Sequence, residues 1–396
     1  MVNVAAADAL LARLVRRHAG RVADLDERLR AAGFGGESVP TWATLPAIAP
    51  RAKSELAHLQ RERADFGGLA PTGLRPAAAF WSPGGLTEPH VDAHVERLAA
   101  LLVDAGFGAG DRVANGFAYH FTPAGLLVHE ALVRIGVTVL PIGPQQTAQA
   151  AEFVAAAGAT GFVGIAAHLK ALLAAIDALP PGVPRPPLAR ALAGAEPLGD
   201  AIRREIEHRW GIACFDFYGT AESGVVALEC DAHAGLHLHP EVLAELAEPG
   251  SGVRADGPVG ELLLSADADE LPLLRFATGD LVRIDDAPCR CGRTTSRLTV
   301  LGRVGASARV RGMLLHASQL HAFAAAAGLQ ACRATLTRAD DRDHIVLQFR
   351  TDAAPHEATL ADAFRDHCRL RADRFVAAPA LAAGTFELAD ERGRSA

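Results

Sequence analysis

The chain has 396 residues, half of them hydrophobic and 21% charged, and a formal net charge of -7. That length predicts two domains or three, and that composition excludes a disordered or fibrous protein. There is no lysine-rich block, no basic helix carrying aromatics and no apolar run of about eighteen residues, so neither nucleic acid nor a membrane is expected as a partner.

The opening stretch, "MVNVAAADALLARLVRRHAG", carries its arginines after its apolar residues. That is the reverse of a secretory signal, and a cytoplasmic protein is expected. Residues 1–35 place apolar side chains at helical spacing, and "SVPTWATLPAIAPRAKSELAHL" reads as a proline-broken linker running into another helix. Residues 1–75 are therefore expected to be a helical lead-in and linker rather than core. From about residue 95 the period alternates: "VERLAALLVDAGF" is helical, "RVANGFA" strand-like, "AGLLVHEALVRIG" helical and "VTVLPIG" strand-like. Three more helix-strand units follow, the last ending in "IACFDFYG". This alternation predicts an α/β body of mostly parallel, helix-covered sheets. Beyond "GRVGASARVRG" come shorter strands and the helices "SQLHAFAAAAG" and "LADAFRDHCRLRA", which predict a small α+β C-terminal domain. The expected domains are 1–302 and 303–396, with the glycine-rich segment between them as a hinge.

In open α/β sheets ligands gather beyond the carboxyl ends of the strands, where "AGAEPLG" and "YGTAESG" both fall. With "RFATGD" and "LGRVGASARVRG" these stretches form an ordered set. The set resembles the adenylate-forming acyl and aryl acid ligases, most closely the phenylacetate-coenzyme A ligase type. The resemblance runs from about residue 75 to the C-terminus and is most specific over "TGD", "CRCGRT" and "VRGM". It implies the fold of those ligases, ATP and AMP as nucleotides, Mg²⁺, coenzyme A as thiol acceptor and a small aromatic carboxylic acid as substrate.

The residue chemistry suits a nucleotide site. Tyr218 offers a flat ring for adenine, and Gly219 frees the backbone for close approach. Thr220 offers a hydroxyl to a phosphate, and Glu222 a carboxylate to Mg²⁺, a hard cation that prefers such oxygens. Asp280 can accept from both hydroxyls of a ribose. The resemblance adds Gly194, Ala195 and Glu196 to the adenine pocket and Arg303 as a second ribose contact.

The chain departs from the family where adenylation is concentrated. Its phosphate loop is represented by "FWSPGGLTEPH", which keeps Ser82, Gly84, Gly85 and Thr87 but has no lysine. Ala221 replaces a common threonine, and Val304 and Gly305 replace the hinge acid. The family's C-terminal lysine is absent from "FELADERGRSA", where Arg392 or Arg394 is the electrostatic candidate to replace it. The chain's two lysines, Lys53 and Lys170, fall in the large domain, and Lys170 reads as a solvated residue of an amphipathic helix.

A second constellation is independent of nucleotide. Cys230 and His237 in "CDAHAGLH", with Cys289 and Cys291 in "PCRCGRT", supply three thiolates and an imidazole, the ligand set of a tetrahedral structural Zn²⁺. His233 and His239 remain rival ligands. Cys214, Cys332 and Cys368 read as packing cysteines.

Tyr119, His120, Phe121 and Thr122 in "GFAYHFTPAG" fall where the family's aromatic loop approaches the acid, and are candidates to line an aryl pocket. The expected activity is ATP-dependent activation of an aromatic acid as acyl-AMP, then transfer to coenzyme A or another thiol. The alternatives are a binding protein or pseudoenzyme, and an enzyme of only the thioester half-reaction. Self-association as a homodimer is left open.

Overall fold

A computed structural model describes residues 2–392 except 36–37, 83–84, 197, 249–250, 305–306, 312, 340–341, 353–355 and 383. Gly84, Gly305 and Arg394, all singled out above, lie outside the described residues. The chain divides into two units, Met1–Leu301 and Gly302–Ala396.

In the first unit the alternating segments form a run of parallel strands in the order Thr138–Pro141, Arg112–Asn115, Gly161–Gly164, Arg190–Ala193 and Ala213–Thr220. Gly161–Gly164 is buried at every position, as a parallel strand covered on both faces must be. Successive residues of one strand enter different cores: Phe162 packs with the helices Thr147–Ala157, Ala166–Asp177 and Asp200–Trp210, and Val163 with Asp92–Asp104 and Ala124–Arg134. That alternation puts helices on both sides of the sheet.

The sheet does not stay parallel. Past Ala213–Thr220 it continues through Gly224–Glu229, Leu236–Leu238, Arg297–Arg303, Leu273–Asp285, Val259–Ala266 and Val242–Ala247, so the whole 12-stranded sheet is mixed. The joint is antiparallel, between Ala213–Thr220 and Gly224–Glu229. Hence "YGTAESG" closes a hairpin rather than opening a helix.

The N-terminal lead-in needs a correction, because it is part of a core. Helices Val4–His18 and Ala23–Ala31 bury Leu11, Leu14, Leu25 and Leu29 with Leu45, Ile48, Leu243 and Leu274. These helices cover antiparallel strands that would otherwise present an apolar face to water. The two-residue strand Arg51–Ala52 then pairs in parallel with Phe276 and Ala277, directly before Thr278-Gly279-Asp280.

In the second unit a four-stranded sheet runs in the order Arg374–Ala377, Arg342–Arg350, Ala331–Ala339 and Phe386–Asp390. Helices Ala317–Ala326 and Glu357–Cys368 pack on it through Phe323 and Phe364, whose rings meet edge to face at 5.3 Å.

Candidate functional site

The hairpin turn is built around Thr220 and Ser223. Ser223 N donates to Thr220 Oγ1 at 3.1 Å, and the two hydroxyls are 3.1 Å apart, so Thr220 holds the turn as well as offering a hydroxyl. Gly219 has a steric reason beyond ligand approach: a Cβ there would lie 2.4 Å from the carbonyl oxygen of Gly224 across the hairpin. The register shifts between Tyr218 and Gly219, and the bulge re-aims the strand end. Behind the turn, the buried Arg97 donates from Nη1 to the Ser223 carbonyl at 2.7 Å, and burial brings its guanidinium down to about 10.

Two pairs converge on this hairpin from distant sequence. Tyr218 Oη donates to Asp280 Oδ2 at 2.6 Å, and Asp280 N donates to Thr278 Oγ1 at 3.1 Å. The adenine and ribose candidates are thus joined side chain to side chain. Glu222, only 3% exposed, meets Lys53, whose Nζ is 2.8 Å from Oε1 and 3.1 Å from Oε2. Lys53 had no role in the sequence reading. The signal for it lies in the strand Arg51–Ala52, which docks beside "ATGD" and is too short to register as a period. Glu88, from "FWSPGGLTEPH", approaches the same carboxylate. Burial, then the negative charge of Glu222, push it up to about 7. A buried hard oxygen donor at Glu222 suits Mg²⁺, with the Lys53 ammonium as its competitor for that carboxylate.

The adenine-pocket candidates follow the strand Arg190–Ala193. Gly194 is packed so tightly that a Cβ would lie 2.4 Å from the Phe217 ring, and Ala195 takes a left-handed φ of 66°. Ala195 is exposed and Glu196 half-buried.

The acid-loop candidates separate. Asn115 Nδ2 donates to Tyr119 Oη at 2.8 Å, and His129 Nδ1 lies 3.0 Å from the same oxygen. Tyr119 is therefore tied to Asn115 and His129, neither of which the sequence reading had singled out. Burial pushes its phenol up to about 12. Phe121 is 71% exposed with φ 64°, His120 packs edge to face on it, and Thr122 is half-buried. The Phe121 carbonyl accepts from Trp81 N at 2.7 Å, which fastens this loop to the strand Ala79–Trp81 beside the phosphate-loop segment.

The cysteine and histidine constellation comes together. Ligand atoms of Cys230, His237, Cys289 and Cys291 lie within 4.8 Å of one another. Cys230 and Cys289 sulfurs are 3.7 Å apart, and Cys291 Sγ is 3.4 Å from His237 Nε2. Zn–S bonds of about 2.3 Å in a tetrahedron separate two sulfurs by about 3.8 Å, so the donor set and its spacing fit zinc. His237 Nδ1 lies 3.2 Å from the Thr295 carbonyl, an acceptor that fixes the proton there and leaves Nε2 free. The rivals are engaged elsewhere: His233 with Arg203 and Glu229, and His239 accepting from Glu241 N. Backbone and side-chain hydrogen bonds, the Cys291 N–H first, hold the Cys289 thiol down to about 6, while burial raises Cys230 to about 11. Burial also pushes the packing cysteines Cys214, Cys332 and Cys368 up to about 12.

Arg303 and Arg392 belong to the second unit. There the Arg392 guanidinium is held by Asp343 Oδ2 at 2.7 Å and Asp390 Oδ2 at 2.6 Å. In the first unit Lys170 pairs with Glu205 at 2.9 Å.

No protein-family profile matches the chain. The phenylacetate-coenzyme A ligases of Escherichia coli, Thermus thermophilus and Pseudomonas putida are 30%, 27% and 28% identical to it, over 60% of this chain and 55% of each relative. The chain thus spans about half the length of the curated relatives it matches. A crystal structure of 2-hydroxyisobutyryl-CoA ligase with 2-HIB-AMP and CoA superposes with a TM-score of 0.79 at 16% identity, covering 98% of this chain and 90% of that one. IdnL1 superposes with a TM-score of 0.59 at 18% identity, over 78% and 70% of the two chains. Sequence relatives and shared fold point the same way: the chain is similar to phenylacetate-coenzyme A ligases over 60% of its length and has the fold of 2-hydroxyisobutyryl-CoA ligase.

Proposed function

We propose that the chain activates a small aromatic carboxylic acid with ATP and passes the acyl group to coenzyme A. A carboxylate oxygen attacks the α-phosphorus, the bond to pyrophosphate breaks, and acyl-AMP forms; the thiol then attacks the acyl carbon and AMP leaves. The observation that carries this reading is the hairpin that joins Tyr218 to Asp280 and presents Glu222 to Lys53 within one turn. In it Tyr218 and Asp280 hold the adenosine, aided by Gly194, Ala195, Glu196 and Arg303, and Thr220 meets a phosphate. Mg²⁺ at Glu222 would neutralise the departing pyrophosphate. Lys53, released from Glu222, supplies positive charge that "FWSPGGLTEPH" lacks, and Arg392 or Arg394 takes the part of the missing terminal lysine. Positioning and charge neutralisation carry most of such a barrier. Tyr119 to Thr122, with Trp81, line the acid's approach. Zn²⁺ on Cys230, His237, Cys289 and Cys291 is structural, clamping the strand Leu236–Leu238 to the loop after Leu273–Asp285.

A second reading, nucleotide or adenylate binding without ligation, is favoured by the pairing of Arg392 with two carboxylates. The two part on one experiment. Zinc-loaded protein is incubated with ATP, Mg²⁺, coenzyme A and a panel of aryl and hydroxy acids, and the products are read by mass spectrometry. Acyl-CoA with stoichiometric AMP supports ligation; nucleotide binding with no product from any acid supports the second reading.

A further inference from the structure

At the strand Arg112–Asn115 the order of the parallel sheet reverses: the chain leaves it for Thr138–Pro141 on one side and comes back to Gly161–Gly164 on the other. Ligands of such sheets sit outside the carboxyl ends at that point. Asn115 closes the strand there, fully buried, and its amide is oriented by the backbone on both sides. Oδ1 accepts from Phe117 N at 3.1 Å, and Nδ2 donates to Gly125 O at 2.8 Å, so the amide is fixed one way round. The second Nδ2 hydrogen goes to Tyr119 Oη at 2.8 Å.

That donation decides where the Tyr119 proton goes. An oxygen that accepts from Asn115 keeps its own hydrogen for another acceptor, and His129 Nδ1 lies 3.0 Å away. The Tyr119 hydroxyl therefore donates to His129, which carries its own proton on Nε2. Burial, which pushes the phenol up to about 12, keeps that hydrogen in place at neutral pH. The helix Ala124–Arg134 brings His129 here by a close approach. Gly125, one turn earlier on the same face, meets the acid loop so tightly that a Cβ would lie 2.2 Å from the Ala118 carbonyl oxygen. The His129 and Tyr119 rings also meet edge to face at 5.7 Å. Tyr119 is 37% exposed, and without these contacts it would sample several rotamers.

We propose that His129 is a positioning residue for the acid site: by accepting the Tyr119 proton it fixes that side chain's rotamer and commits its hydrogen, so Tyr119 meets the acid as a fixed ring and not as a hydrogen-bond donor. The inference rests on the reading in which Tyr119 lines the acid's approach, but not on ligation itself. His129 acts through Tyr119 rather than on the acid.

The test uses the zinc-loaded full chain labelled with carbon-13 at tyrosine Cζ. The chain has two tyrosines, so two resonances are expected, and Tyr218→Phe assigns them. Phenylacetate and benzoate are titrated in the presence of AMP, and the Tyr119 signal is followed. Two variants separate the hydrogen bond from the packing: His129→Asn keeps an acceptor near the place of Nδ1 and loses the ring, and His129→Phe keeps the ring and loses the acceptor. The acid is expected to move the Tyr119 signal in the wild type. Its dissociation constant should rise about three- to tenfold in His129→Phe, the worth of one hydrogen bond, and less than about twofold in His129→Asn. AMP affinity should be unchanged in both. Unchanged acid affinity in His129→Phe, or a loss in His129→Asn at least as large, would mean that packing rather than the proton holds Tyr119 and would overturn the inference. A Tyr119 signal that neither acid moves would overturn it as well. No turnover is needed, so acid binding with this pattern but no acyl-CoA would sink the ligase reading alone, and acyl-CoA formed by His129→Phe at unchanged KM for the acid would sink this inference alone.

Discussion

Replacing Arg275 by methionine probes what the arginine of "RFATGD" is for. Its side chain is 1% exposed and donates to Glu245 Oε2 at 3.1 Å, to Gly252 O at 2.8 Å, and to the carbonyls of Ile48 and Pro46 in the N-terminal segment. Arg275→Met would fill the volume but strip four acceptors of their donor and leave Glu245 buried, with only the partly exposed Arg254 at 3.1 Å among the described residues. Removing one partner of a buried ion pair costs about 3–5 kcal/mol, so the large unit should melt roughly 5–15 °C lower. Adding Glu245→Gln removes the stranded charge and should recover about half of the loss, a positive coupling read from denaturant unfolding of all four members of the cycle. AMP affinity, measured by calorimetry below the melting range, should change less than about threefold, because Arg275 ties the lead-in helices to the sheet and touches no ligand candidate. A loss below about 1 kcal/mol, or a double variant at least as unstable as the sum of the singles, would refute the reasoning.

Four more outcomes follow from the same geometry. Chelating zinc, or changing Cys291 to serine, should lower the melting temperature and change the far-ultraviolet signal of the large unit, since structural zinc contributes folding free energy; metal-free protein of unchanged stability would reject the site. Asp280→Ala should weaken AMP binding by about 1.5–3 kcal/mol, roughly ten- to 150-fold by calorimetry, since it removes a charged acceptor for the ribose hydroxyls. Arg392→Ala should slow adenylation about 10²–10³-fold with AMP affinity intact, as expected if its guanidinium leaves Asp343 and Asp390 for the transition state, and an unchanged rate would reject that role. Burial, then the Glu229 charge, push Asp216 up to about 7 from an ordinary 3.8, so the folded state keeps a proton that the unfolded chain has released. Stability should fall between about pH 4 and pH 7, by on the order of 3 kcal/mol, and Asp216→Asn should flatten that fall in urea titrations at stepped pH.

The legible parts of this chain are those where one local period or one donor set decides the outcome. The helices and parallel strands from Asp92 to Thr220 follow their hydrophobic periods, and the Cys230, His237, Cys289 and Cys291 group follows from ligand chemistry and two tight turns. The antiparallel half was not legible. Strands such as Gly224–Glu229 are buried throughout and so lack the alternation that marks a sheet with one wet face. Nor does the sequence disclose that Lys53 meets Glu222 across 169 positions, or that Leu11 and Leu14 pack on Leu243 and Leu274. Such pairings are set by sheet order, which no local window contains. At Gly219 and Gly194 the motif was found but not its steric reason, because the neighbouring atoms belong to Gly224 and Phe217.

In the proposed reaction the hairpin at Tyr218 to Ser223 supports adenylation although the phosphate-loop segment and the C-terminal segment carry no lysine. Acid-dependent exchange of labelled pyrophosphate into ATP, with no thiol present, tests it most directly. Exchange is expected to be slow but saturable with at least one aromatic acid, lost in Glu222→Gln and reduced in Lys53→Met. The absence of exchange with every acid, under conditions where AMP binds, would contradict it.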